Sequence, residues 1–298
     1  MTSIDDLVSS ILEDDKPRKY NVLFTPRRVE RRKIDRLEWA KRTLQQEHIE
    51  DDLDLGDLPI TNLGNLKSIT GNLGLRNTSI TDLGSLESVG GSLILYNTYV
   101  TSLGSLKLVG GDLNISFTPI TDLGSLESVG GYLDLRYTSI TNLGSLKSVG
   151  DDLNLTHTPI TSLGSLESVD GNIDLSGTPI TSLGSLKSVG GYLDLSDTPI
   201  TSLGSLKSVG SWLDLHNTFI TDLGSLRSVH GWLNLRGTSV TSLGSLKLVD
   251  GWLDLRNTPI TNLGSLQSVS EIFISRNSKL DIDSLPEPLK NKIFIKSR

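Results

Sequence analysis

Residues 191–210 read GYLDLSDTPITSLGSLKSVG, and this stretch contains the pattern that decides the fold. When its residues are numbered 1 to 20, apolar side chains occupy positions 3, 5, 10, 13, 16 and 19, which here are Leu193, Leu195, Ile200, Leu203, Leu206 and Val209. Positions 3 and 5 alternate as in a β-strand with one buried face. Positions 13, 16 and 19 recur every three residues, a spacing that predicts a short 3₁₀ or extended segment rather than a full helix.

The same pattern recurs every 20 residues across residues 51–270, which makes 11 repeats because 11 × 20 is 220. We number them from repeat 1 (51–70) to repeat 11 (251–270) and use the same position numbers in each. Position 14 is glycine in every repeat, from Gly64 to Gly264, which indicates positive φ or a close contact. One repeat is too short to form a core alone, so neighbouring repeats must stack. The sequence therefore predicts a solenoid of parallel strands, one per repeat, with low curvature.

Composition excludes several classes of function. The 298 residues include no cysteine, so disulfides, thiolate zinc sites and cysteine nucleophiles are absent. A net charge of -7 argues against a general nucleic-acid binder. The first ten residues, MTSIDDLVSS, are acidic where a Sec signal peptide is basic, and no long apolar run follows. We therefore expect neither Sec export nor a membrane span.

Parts of the repeat resemble a known family. The run TPITSLGSL (198–206) resembles the internalin-type leucine-rich repeat, with threonine where that family usually has asparagine, and LKSVGGYLDL (186–195) is similar to the receptor L-domain variant. The run TxITSL and the tail SLPEPLK (284–290) are similar to uncharacterised leucine-rich repeat proteins of bacteriophages. The resemblance covers residues 51–298. It implies a β-rich α/β fold: a right-handed leucine-rich repeat solenoid of 20-residue units, with a parallel sheet on one face and short 3₁₀ or extended segments on the other.

The resemblance also bears on function. It implies a non-catalytic binding scaffold, phage-encoded and located in the cytoplasm or on the virion, although repeat folds host many binding roles. Receptor L domains are secreted and disulfide-bonded, which does not fit a chain without cysteine. The four histidines, His48, His157, His216 and His230, lie in different columns of the repeat, and no catalytic arrangement emerges. We expect no enzyme activity, no cofactor and no metal site.

The segments outside the repeats form an N-terminal helical arm or cap (1–50) and a C-terminal cap (271–298). Residues 16–42 hold eleven bases and three acids, and one interpretation is a docking arm that binds an acidic partner or nucleic acid through Arg27, Arg28, Arg31, Arg32 and Arg36. The other is a helical cap that covers the first repeat with Ile34, Leu37 and Trp39. A net charge of only +1 over residues 1–50 favours the cap. At the other end we expect Phe273 to keep the repeat register, with Ser275 in place of a leucine.

The strongest functional signal lies at positions 2, 4 and 6 of the late repeats, which are expected to point outward from the sheet. Their side chains are Tyr192, Trp212, Trp232 and Trp252 at position 2, Asp214 and Asp254 at position 4, and His216, Arg236 and Arg256 at position 6. Tryptophan and arginine dominate interface energetics, so these residues predict a surface that binds a protein or glycan partner, or a second copy of the chain. The alternative is an aromatic ladder that only stabilises the sheet.

A function of a different class stays open: a rigid spacer docked through its N-terminal arm, for example on a virion. Uniform repeat length suits a spacer, whereas the tryptophan cluster suits a binder. An ice-binding face is not expected, because threonine at position 8 should turn inward and leave only position 11 outward.

Charged columns complete the pattern. Asp174, Asp194 and Asp214 stack at position 4, where we expect solvated carboxylates rather than a metal site. Position 17 alternates lysine and glutamate from Lys67 to Glu167, which predicts inter-repeat ion pairs, each of modest strength in water. It then holds an unbroken basic row, Lys187, Lys207, Arg227 and Lys247.

Overall fold

A computed structural model describes residues 36–296, and these residues wind into a parallel-strand solenoid. Each strand pairs with the strand 20 residues further along, as Leu193 pairs with Leu213 and Asp194 with Asp214. The predicted solenoid of 20-residue units is therefore confirmed.

Sheet I is formed by positions 3 and 4 of the repeats and is continued by two longer strands at the C-terminal end. In the described part of the chain it contains 13 parallel strands: Leu53–Asp54, Leu73–Gly74, Leu93–Ile94, Leu113–Asn114, Leu133–Asp134, Leu153–Asn154, Ile173–Asp174, Leu193–Asp194, Leu213–Asp214, Leu233–Asn234, Trp252–Asp254, Glu271–Ser275 and Ile293–Lys296.

Sheet II is formed by positions 18 and 19, where the sequence predicts a 3₁₀ or extended segment. Over residues 36–296 it contains 11 parallel strands: His48–Ile49, Ser68–Ile69, Ser88–Val89, Leu108–Val109, Ser128–Val129, Ser148–Val149, Ser168–Val169, Ser188–Val189, Ser208–Val209, Ser228–Val229 and Leu248–Val249. The segment is extended, and equal repeat length brings the same two residues of each repeat together. Repeats 1 to 10 thus each contribute a strand to two sheets rather than one.

The core is the set of columns that the periodicity predicts. In repeat 8 the six apolar side chains at positions 3, 5, 10, 13, 16 and 19 are 0% exposed. Threonine at position 8 also turns inward, as expected: the Thr198 hydroxyl, 1% exposed, donates to the carbonyl oxygen of Leu195 at 2.6 Å. This bond closes a turn within one repeat. Thr201 at position 11 is exposed.

The first described residues pack onto repeat 1. The helix Arg36–Thr43 buries Ala40, and Leu44 follows it into the core. Trp39, however, is 40% exposed, so its predicted role in covering the first repeat is wrong. It lies on the helix face away from the core, one residue before the buried Ala40.

The C-terminal segment changes the register by one residue. Leu253 pairs with Ile272 and Asp254 with Phe273, so the step is 19 residues instead of 20. Ile272 and Ile274 are therefore the buried residues, and Phe273 faces outward, contrary to the predicted register. A short helix, Glu287–Lys290, buries Leu289 ahead of the last strand.

Candidate functional site

Position 2, at the start of the sheet I strand, is polar in most of the early repeats. Its side-chain oxygen accepts a hydrogen bond from the backbone N–H of the same position one repeat later. Asp52 accepts from Asn72 at 2.8 Å, and Asn72 accepts from Ser92 at 2.7 Å. The same bond joins Asn172 to the N–H of Tyr192 at 2.9 Å. We call this arrangement the polar ladder.

From repeat 8 onward the same column is aromatic. The rings of Tyr192, Trp212, Trp232 and Trp252 stack with centroid distances of 4.2, 4.7 and 4.7 Å and with planes within 3° of parallel. We call these four residues the aromatic ladder. Phe273 contacts Trp252 edge-on at 6.3 Å, and Phe294 follows at 5.9 Å. The change from polar to aromatic side chains at position 2 therefore replaces a hydrogen-bonded ladder with a stacked one.

The stacking determines which part of each ring meets solvent. All four rings are half-buried. Trp212 and Trp232 have a stacked ring on both faces, whereas Trp252 stacks on Trp232 and meets Phe273 edge-on. What is accessible is therefore mainly ring edge. The rings form a rigid, partly shielded strip along sheet I, which is the geometry of the aromatic ladder that the sequence left open as the alternative to a binding surface.

The charged residues beside the aromatic ladder are held in fixed pairs. Arg256 donates from Nε to both carboxylate oxygens of Asp254, at 2.9 and 3.0 Å. Asp254 is only 3% exposed, so its predicted outward exposure is wrong: the Arg256 side chain covers it. His216 Nδ1 lies 2.9 Å from Asp214 Oδ1. Arg236 is exposed.

The aspartates of position 4 turn back onto their own repeats. The carboxylate of Asp174 accepts from the backbone N–H of Ser176 at 3.0 Å, and Asp194 accepts from Ser196 at 2.9 Å. Burial raises the pKa of Asp194, and the adjacent carboxylates of Asp214 and Asp174 raise it further. The described residues contain no group of three side chains that could hold a metal ion.

Position 7 is a column that the sequence analysis missed. Its backbone has positive φ in every repeat, with nine non-glycine residues at 55–63° and glycines at Gly177 and Gly237. The signal was present in the sequence, because eight of the eleven residues are Asn, Asp or Gly, the types that tolerate this conformation. The exceptions, Phe117, Tyr137 and His157, form a second ring stack with centroids 4.7 and 4.4 Å apart.

On the side of sheet II, position 17 forms the expected ion pairs. Lys107 bonds to Glu87 at 3.3 Å and Lys147 to Glu127 at 2.7 Å, with all four side chains more than half exposed. In the late repeats the same column holds the basic row, and only Lys187 within it has an ion pair among the described residues, to Glu167.

The docking arm falls largely outside the described residues, as do Arg27, Arg28, Arg31, Arg32 and Ile34. Arg36 is described, and its guanidinium donates to the carbonyl oxygens of Asp54 and Gly56 at 3.3 and 3.4 Å. In this position it binds repeat 1. Across residues 36–296, the helices are too short and too polar to cross a bilayer.

Comparison with known proteins gives a fold likeness only. No family model matches the chain, and no curated protein matches it. Among solved structures, the chain is similar to a leucine-rich repeat protein of Leptospira interrogans, with 14% identity, coverage of 86% of this chain and 98% of that one, and a TM-score of 0.25. This similarity is too low to support a conclusion. The fold is instead identified by the 20-residue repeat length, the buried leucine columns and the parallel strand pairing. By these features the chain is a parallel-strand solenoid built of 20-residue leucine-rich repeats.

Proposed function

We propose that this protein is a non-catalytic scaffold that binds a protein partner along the aromatic ladder. The observation that carries the proposal is the ladder itself, Tyr192, Trp212, Trp232 and Trp252, stacked in register on the outer side of sheet I. Aromatic side chains of this kind contribute most of the binding energy at many protein interfaces.

The stacked arrangement favours a protein over a glycan. Sugars usually pack their C–H groups against the face of an aromatic ring, and here both faces of Trp212 and Trp232 are covered by rings stacked 4.2 or 4.7 Å away. The exposed ring edges of the aromatic ladder can pack against the apolar side chains of a protein surface. A protein also offers carboxylates for the exposed Arg236.

The strip is also ordered before any partner arrives. Each indole is held by its neighbours, and Arg256 and His216 are held by Asp254 and Asp214. Binding therefore loses little side-chain entropy, which otherwise costs about 0.5–1.5 kcal/mol for each immobilised side chain.

The test replaces the three tryptophans with the residue that forms the polar ladder. We expect Trp212→Asn/Trp232→Asn/Trp252→Asn to keep the solenoid folded, because asparagine already occupies position 2 at Asn72 and Asn172. Affinity capture from a lysate of the source cells should then lose a partner that the parent protein retains. Phe219→Ser is the control, since Phe219 is 67% exposed but lies at position 9.

Equal capture by the parent, the triple variant and the control would reject the proposed surface. Sedimentation of the purified protein identifies the case in which the partner is a second copy. A sedimentation coefficient that rises with concentration in the parent, but not in the triple variant, would assign the ladder to self-association.

A further inference from the structure

The ring stack at position 7 stops at a residue without a side chain. Phe117, Tyr137 and His157 stack through repeats 4 to 6, with planes within 15° and 12° of parallel. Repeat 7 continues the backbone, because the N–H of Gly177 donates to the carbonyl oxygen of Ser196 at 2.9 Å. Only the side-chain layer is missing there.

The space left at Gly177 is open and flat. A Cβ on Gly177 would meet no heavy atom within 4 Å. On one side lies the exposed ring of His157, whose second face is turned away from Tyr137. On the other side lies Asp197, with its side chain 59% exposed. We call this space the Gly177 gap: one layer deep, with a ring on one side and a carboxylate on the other.

The charge around the gap has one sign. Between positions 2 and 9 of repeats 7 and 8, the charged residues are Asp174, Asp194 and Asp197, without a lysine or arginine. Asn217 Nδ2 donates a hydrogen bond to Oδ1 of Asp197 at 3.1 Å. Nε2 of His216 lies 3.7 Å from Oδ2 of the same carboxylate. A carboxylate has about four acceptor sites, so acceptor capacity remains.

We propose that the Gly177 gap binds the guanidinium group of an arginine supplied by a protein partner. The guanidinium is planar and always charged, so it stacks on the free face of His157 as the next layer, and the Asp197 carboxylate on its other side attracts its positive charge. A lysine ammonium is a compact charge without a flat face and fits only the second contact. The inference stands apart from the aromatic ladder, since none of the four ladder residues borders the gap.

A second glycine in the same column supplies a matched control. Gly237 also has positive φ, but its neighbours at position 7 are Asn217 and Asn257, so neither a ring nor a carboxylate borders it. Its Cβ position is already 3.2 Å from Asn217 Oδ1. The Gly237 site therefore has the same backbone without the recognition chemistry.

The test is an NMR titration of the full chain with N-acetyl-arginine amide and, separately, N-acetyl-lysine amide. We expect saturable shifts of the Ser176 and Gly177 amides and of the His157 ring with the arginine compound, and roughly two- to fivefold weaker binding of the lysine compound. Gly177→Asn should abolish the shifts of Ser176 and the His157 ring by filling the gap. It should keep the fold, because asparagine holds the same φ at Asn97 and Asn217. Gly237→Asn should leave the titration unchanged.

Two further variants separate the contacts. His157→Ala should remove the preference for arginine over lysine, and Asp197→Asn should weaken both compounds and reduce the salt dependence. Shifts that survive in Gly177→Asn, fail to saturate, or are equally strong with the lysine compound would overturn the proposal. A Gly177→Asn spectrum that differs from the parent only near repeat 7 verifies that the variant is folded. Because no step depends on a partner captured through the aromatic ladder, the two proposals succeed or fail separately.

Discussion

Gly124 and Gly204 occupy the same position in their repeats and have nearly the same φ, 58° and 56°. Their surroundings differ: a Cβ on Gly124 would lie 2.4 Å from the carbonyl oxygen of Gly104, whereas one on Gly204 would meet nothing within 4 Å. Two separate costs of adding a side chain, backbone strain and steric overlap, can therefore be measured within one column.

We expect Gly204→Ala to lower the free energy of unfolding by about 1–2 kcal/mol through left-handed strain alone. Gly124→Ala should cost more, since the carbonyl of Gly104 must also move. Ser205→Ala, at the exposed neighbouring position, should stay within about 0.5 kcal/mol of the parent. Urea unfolding measures all three, and equal midpoints for Gly124→Ala and Ser205→Ala would contradict the assignment.

Asp134 is another residue whose environment sets its behaviour. It is 0% exposed, with Oδ2 3.1 Å from Arg136 Nε. Burial raises the pKa of Asp134 from 3.8 to about 6, against the opposing effect of Arg136. Because the folded pKa lies above the unfolded one, the native state binds more protons than the unfolded chain between about pH 4 and pH 6. This group therefore makes the protein less stable as pH rises through that window.

Asp134→Asn should remove that penalty. Asparagine occupies the same position at Asn114 and Asn154 and accepts the same backbone hydrogen bond. At pH 7 we expect the variant to be more stable by on the order of 1–3 kcal/mol, allowing for the lost ion pair, and the gain to disappear near pH 4. Urea melts at both pH values measure it. Asp222→Asn, on an exposed aspartate, is the control; a gain that persists unchanged at pH 4 would show that the charge is not its cause.

At the scale of single elements, a hydrogen-bonded turn follows the sheet I strand in repeats 2 to 11. Thr198 at position 8 bonds to the Leu195 carbonyl just after the sheet I strand, and the equivalent bond recurs from Thr78 to Thr258. The hydroxyl satisfies a carbonyl that is otherwise buried, so the bond fixes the point at which the chain leaves the sheet.

Thr198→Val should therefore cost about 1–3 kcal/mol, because the Leu195 carbonyl loses its partner without any change in side-chain volume. Thr201→Val, three residues later on the exposed side, should be nearly neutral. The difference between their thermal unfolding midpoints measures how much the hydrogen bond from Thr198 to the Leu195 carbonyl stabilises the fold. If both variants melted together, the hydroxyl would have no structural role.

The sequence predicts an element well where side-chain burial determines its structure, and poorly where backbone pairing does. The buried columns, the inward turn of Thr198 and the ion pairs at position 17 follow from side-chain pattern alone. Sheet II does not, because only one residue of each two-residue strand, such as Val209, is buried, so the sequence shows no strand-like alternation there. The stacking of Trp212 on Trp232 was one of two alternatives from the sequence, since a shared column does not fix the plane of a ring.

At the scale of the whole molecule, a constant repeat length keeps two sheets in register at once. Sheet I and sheet II both pair residues 20 apart, as Leu193 with Leu213 and Val189 with Val209. Any change of length that is not a whole repeat shifts at least one sheet, whereas loss of a whole repeat brings equivalent residues together again. Stability in such arrays is close to a sum over neighbouring repeats.

Deleting residues 171–190 should accordingly leave a folded solenoid that is one repeat shorter. Circular dichroism should show the same spectral shape, and the denaturant dependence of unfolding should fall because less surface is exposed. Deleting residues 176–185 removes only half a repeat and should give an aggregated or unfolded chain, since too few residues then remain in repeat 7 to connect its sheet I strand to its sheet II strand around the core. A folded half-repeat deletion would show that register in the two sheets is not coupled.

The interchangeability of the repeats has a consequence for the gene. Near-identical tandem segments recombine unequally, and here each exchange in which whole segments are gained or lost encodes a chain with intact pairing. A change in copy number by whole repeats therefore leaves the fold intact. The Gly177 gap and the tryptophans of the aromatic ladder belong to particular repeats, so duplication of those segments would lengthen or multiply a binding surface in a single genetic event.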